Sequence, residues 1–138
     1  MKNLAITAIA LLFTAITFAQ KDIPNEVKTA FAKQYPEVKK VKWEKEDGKF
    51  EAGFKQNKIE SSVLMNANGK ILETENEIPV ADLSKSITDY VAKNYPNQKI
   101  KGAAKITDAE GVVTFEAEVK GLDLLFSDKG TFIKASKD

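Results

Sequence analysis

The chain has no cysteine and no histidine, and all 21 of its basic residues are lysine. Each absence removes a class of chemistry. Without cysteine there is no disulfide framework and no thiolate nucleophile. No lipid-modified cysteine can follow a signal sequence either. Without histidine, Ser–His and Cys–His nucleophilic pairs are gone, and so are imidazole metal ligands. Arginine is the preferred planar fork for phosphate and guanine, so an arginine-free chain of net charge +1 is a poor nucleic-acid binder. Near-neutrality also argues against electrostatic adhesion to a membrane surface. No Gly-x-Ser-x-Gly elbow occurs, and no glycine-rich phosphate loop closing in Gly-Lys-Ser/Thr. These observations predict a non-enzyme with no cofactor and no metal.

Long apolar runs are also scarce. The one present, Leu4 to Ala19, follows Met1-Lys2-Asn3 and carries no charge. At 16 residues it is shorter than the roughly 20 needed to span a bilayer. A short basic start, a short apolar core and small residues at Thr17 and Ala19 predict a signal peptide over 1–19, cleaved before Gln20. Removing 19 residues from 138 leaves 119, a suitable size for one compact domain of net charge zero. The expectation is a periplasmic or secreted protein with no membrane attachment after cleavage.

What the mature chain does contain is self-similarity. Ile23–Pro36 reads IPNEVKTAFAKQYP and Leu83–Pro96 reads LSKSITDYVAKNYP. At an offset of 60, Ala32, Lys33, Tyr35 and Pro36 recur identically, and Val27 and Phe31 match Ile87 and Val91. Apolar residues four apart make a helical stripe. Asp22 and Asp82 stand ahead of each segment as candidate N-caps. Pro36 and Pro96 disfavour helical geometry just before them, so the helices should end near Tyr35 and Tyr95.

Beyond each helix the pattern alternates, as in half-buried strands. Phe50-Glu51-Ala52-Gly53-Phe54-Lys55 matches Phe115-Glu116-Ala117-Glu118-Val119-Lys120, and turn signals such as Asp47-Gly48, Asn68-Gly69 and Lys129-Gly130 separate the runs. The pattern predicts strands at about 38–46, 49–56, 59–65 and 70–75, then 99–107, 112–120, 122–127 and 131–135. The expected fold class is α+β: a tandem repeat of helix plus four antiparallel strands, forming a sheet with two helices on one face. The two repeats occupy about 20–76 and 82–138.

The ending Phe-Ala-Gln of the signal segment, the helices closing in Tyr-Pro, the lysine-rich first strand and the Phe-Glu-Ala strand together resemble the PepSY-like, beta-lactamase-inhibitor-like domains. The resemblance spans nearly all of the mature chain. It implies a helix followed by antiparallel strands, a setting outside the cytoplasm, and a role that by analogy is inhibition of an exported enzyme. The beta-lactamase inhibitor itself carries disulfides, which this chain lacks, and none of its inhibitory residues can be carried over.

The remaining candidates are surface features. Glu44, Glu46 and Asp47, and then Glu73, Glu75 and Glu77, are interspersed with lysine or alternate along a strand, the pattern of a solvated face. Trp43 shares parity with Val41 and reads as core, with an interface anchor as the alternative. Leu64 and Leu125 occupy positions where a half-buried strand would be polar, and Leu72 and Ile133 repeat the anomaly in the fourth strands. These four are the expected partner-binding residues, forming an apolar patch on the sheet face away from the helices. The expected function is an exported, non-catalytic module that binds a protein partner, inhibiting or modulating an exported enzyme. A structural or envelope-associated domain is the alternative.

Overall fold

The computed structural model describes residues 22–137. The expected signal peptide and its cleavage site lie outside these residues. The elements run α1 (Asn25–Gln34), β1 (Val41–Glu46), β2 (Lys49–Gln56), β3 (Ile59–Met65), β4 (Ile71–Glu77), α2 (Lys85–Asn94), β5 (Gly102–Asp108), β6 (Val113–Val119), β7 (Leu122–Ser127) and β8 (Phe132–Lys137). A short 3₁₀ turn, Val80–Asp82, leads into α2. All eight strands form one antiparallel sheet in chain order, β1 to β8. The α+β class, the sheet and the two helices agree with the expectation.

Both helices end where the proline argument places them. Tyr35 and Tyr95 are the C-caps, and their N–H groups donate to the Phe31 and Val91 carbonyls at 2.8 Å. The helix starts differ from the expectation. The N-caps are Pro24 and Ser84, and neither makes a side-chain capping bond. Asp22 lies three positions ahead of α1, and Asp82 is taken up by the 3₁₀ turn. Main-chain carbonyls serve instead: Pro24 accepts from Lys28 at 3.1 Å, and Ser84 accepts from Thr88 at 3.2 Å.

Two hairpins hold the helices down. Asn66 Oδ1 accepts from the Asn68 and Lys70 N–H groups, both at 3.0 Å, and closes the β3–β4 turn. The next residue in that turn, Gly69, sits at φ +77, and a Cβ there would come within 2.7 Å of Ala30 Cβ on α1. The turn therefore packs backbone to helix, which only glycine allows. The β7–β8 turn repeats the device. Ser127 Oγ accepts from Lys129 and Thr131 at 3.3 and 3.1 Å, and Gly130 lies against Ser86 on α2.

The core is two clusters on one face of the sheet. Ile23, Val27 and Phe31 pack on Trp43, Phe50, Ala52, Phe54, Val63 and Met65. Leu83, Ile87 and Val91 pack on Ala103, Ala117, Val119, Leu124 and Phe126. The register shows that these are the same face: Ser61, which pairs with Phe54, pairs onward with Asn76, Lys105 and Phe115 in turn. Between the clusters this face turns polar, and Ser61 Oγ donates to Asn76 Oδ1 at 2.9 Å. Trp43 is core, buried and edge-on to Phe31 at 5.4 Å between ring centroids.

Candidate functional site on the face away from the helices

With period two, the residues between the core positions point to the opposite face. On β2, β3 and β4 these include Glu51, Leu64, Glu73 and Glu75. On β5, β6, β7 and β8 they include Ala104, Ile106, Glu116, Asp123, Leu125 and Lys134. Aliphatic and acidic side chains interleave across the strands. Leu64 lies between Glu51 and Glu73, Ile106 lies beside Glu75, and Leu125 lies between Glu116 and Lys134.

This face is not the solvated surface that the carboxylate pattern suggests. Glu75 is only 3% exposed, and Glu51, Glu116 and Asp123 are buried as well. The reason lies in position: β4 to β7 are interior strands, and a twisted, coiled sheet brings side chains on its hollow side together. The carboxyl of Glu75 on β4 feels Glu51 on β2, Glu116 on β6 and Asp123 on β7. Glu73 feels Lys134 on β8, four strands away.

The electrostatic consequence is large. Burial beside Ile106, followed by repulsion from Glu116, Glu51, Glu73 and Asp123, pushes the Glu75 carboxyl up to about 9. Burial and then Asp108 push Glu73 up to about 7, and Glu51 adds to the rise, while Lys49 and Lys134 hold it lower. At neutral pH Glu75 carries a proton. Its carboxyl is therefore a donor as well as an acceptor.

The four residues expected to bind a partner do not form one exposed apolar patch. Leu64 and Leu125 do lie on the face away from the helices, but both are buried, Leu125 completely. Leu72 is half-buried beside a bulge, and only Ile133 is well exposed, at 43%. The interleaved acids shield the leucines, which is why alternation alone mistook them for surface. What the sequence reading missed is Glu75 and its neighbours. The usable signal was strand order, because Glu75 sits on an interior strand.

A second feature is a cavity of about 310 Å³ at the β1 side, lined in part by Lys40, Lys42, Gly53, Lys55 and Glu60. Its lysines are mostly engaged. Lys42 pairs with Glu44 at 2.8 Å, and Lys55 pairs with Glu60 at 2.6 Å. Among the described residues no group of three acidic side chains is placed to hold a metal ion. No helix among them is long and apolar enough to cross a membrane.

An eight-stranded antiparallel sheet backed by two helices, with a charged opposite face, defines a class of small sheet-faced domains. The chain belongs to the family described as beta-lactamase-inhibitor-like, PepSY-like, which residues 13–73 and 50–134 both match. The two matches support an internal duplication, although they overlap and do not follow the expected boundaries. Solved structures share the fold. A BLIP-like protein from Bacteroides fragilis is 23% identical with a TM-score of 0.65, over 83% of this chain and 86% of that one. A DUF2874 family protein from Bacteroides ovatus is 20% identical with a TM-score of 0.69, over 83% and 86%. A protein from Bacteroides eggerthii, described as a supposed periplasmic protein, is 15% identical with a TM-score of 0.72, over 83% and 88%. Comparison with curated proteins yields no match.

Proposed function

We propose that this chain is an exported, non-catalytic module that binds a protein partner in the periplasm or outside the cell, and that the partner is an exported enzyme it inhibits or modulates. The reading includes a signal peptide over 1–19 and two units over about 20–76 and 82–138. Its main support is one observation: the helices cover one face of the sheet, while the other presents a broad array of acids and aliphatics from β2 to β8. A protein surface suits such an array better than a small molecule does. Family membership and the description of the Bacteroides fragilis relative as BLIP-like support the same reading. So does the absence of cysteine and histidine, which leaves few routes to nucleophilic chemistry. Of the four residues expected at the contact, Ile133 and Leu72 retain exposure and belong at its rim.

The test starts from the mature protein immobilised against periplasmic extract. A captured partner is purified, and its contact is mapped by hydrogen exchange. Protection on β4 to β8 with slowed partner activity is the expected result. Protection confined to α1 and α2, or no saturable partner, contradicts the proposal.

A further inference from the structure

We infer that the face away from the helices recognises a cationic side chain, a lysine or arginine projected by the partner segment, which enters beside Glu75. The inference rests on the binding-module reading and adds the chemistry of the partner. It stands on the placement of charge across the sheet. Acids reach this face from β2 (Glu51), β4 (Glu73 and Glu75), β5 (Asp108), β6 (Glu116) and β7 (Asp123). The lysines that approach them are Lys49 on β2 and Lys134 on β8, and both act on Glu73. Every charged group acting on Glu75 is acidic, so the centre of the face has an excess of negative charge.

Glu75 supplies the independent observation. It is 3% exposed, and no hydrogen bond or ion pair to its carboxyl is found among the described residues. A buried polar group without a partner is costly, and a ligand that supplies one recovers that cost. The ligand must be cationic to complement the surrounding acids. A bare metal ion suits the site less well, because no three carboxylates converge on one point among the described residues. The flanking Leu64, Ile106 and Leu125 favour a cation on an aliphatic stem, which packs its methylenes on leucine while its head meets carboxylate.

Recognition of this kind is linked to protons. At neutral pH the Glu75 carboxyl holds its proton, since burial and its acidic neighbours push it up to about 9. A lysine ammonium placed beside it favours the ionised form and releases that proton to solvent. Binding therefore tightens as pH rises from 6 toward 9, while the ligand's own ammonium stays charged.

The probe is a ten-residue peptide of alternating lysine and glycine, with an alternating glutamate and glycine peptide as its counterpart. Calorimetry runs at pH 7 in buffers of different ionisation enthalpy and reads affinity and proton release together. The expected result is saturable binding of the lysine peptide alone, with a proton released. Glu75→Gln resembles the protonated carboxyl in shape, so it should fold. It should abolish the proton release and weaken binding by about tenfold, as loss of one charged partner implies. Equal binding of both peptides, release that survives in Glu75→Gln, or no binding overturns the inference. Calcium that releases the proton while the peptide does not also overturns it. If the peptide fails but the purified partner still protects β4 to β8, the cation inference falls and the binding module stands. If both fail, the binding-module reading falls too.

Discussion

Phe31 touches Tyr35, Trp43 and Phe54 with ring centroids 5.1, 5.4 and 5.2 Å away, and it is almost fully buried. It joins α1 to β1 and β2 through edge-to-face contacts that add to its apolar burial. Phe31→Ala should destabilise the protein by about 3–5 kcal/mol in chemical denaturation, since the cavity it leaves is walled by rigid rings. Glu51 shows the opposite lesson at the same scale. Its place in Phe50-Glu51-Ala52 reads as a solvated strand position that tolerates any change. In the fold it is buried opposite Leu64, within reach of Glu75. The residue's parity was read correctly and its environment was not.

At the scale of elements, most of the architecture was legible. Helix ends at Tyr35 and Tyr95 follow from proline geometry, and the hairpins follow from glycine at positive φ. The strands agree within a few residues, with β5 starting at Gly102 instead of 99. Caps were misread because Asp22 and Asp82 stand too far ahead of the first helical residue for their oxygens to meet its N–H groups. The paired faces of β7 and β8 offer a direct check. Leu125 is fully buried although it faces away from the helices, whereas Ile133 on β8 is 43% exposed. Leu125→Ala should therefore cost about 2–5 kcal/mol. Ile133→Ala should change stability by about half a kcal/mol or less, as expected of an exposed site. Similar losses in both would mean that the burial contrast between these strands is wrong.

For the whole molecule the decisive property is the acidic centre of one sheet face, which no local pattern reveals. Leu72-Glu73-Thr74-Glu75-Asn76-Glu77 alternates like a surface strand, and only its place between β3 and β5 turns Glu75 inward. The consequence is an unusual pH dependence. Glu73 and Glu75 hold their protons more tightly folded, at about 7 and about 9, than their ordinary value of 4.5. The folded state therefore binds more protons than the unfolded chain between these values, so their contribution to stability is fully present below about pH 4.5. It is lost as pH rises, first through Glu73 and then through Glu75. Where one proton separates the two states, the slope is about 1.4 kcal/mol per pH unit. Denaturation at pH 6 and pH 9 should show the alkaline sample less stable, and Glu75→Gln should narrow the gap. A protein as stable at pH 9 as at pH 6 would contradict the buried charge.

The most direct test of that acidic centre is a carbon-13 NMR titration of the glutamate carboxyls in the mature protein. The structure predicts one carboxyl titrating near 9 and one near 7, with the upper signal missing in Glu75→Gln and the lower one missing in Glu73→Gln. If every glutamate instead titrates close to 4.5, the face away from the helices is an ordinary wet surface and the account of it given above is wrong.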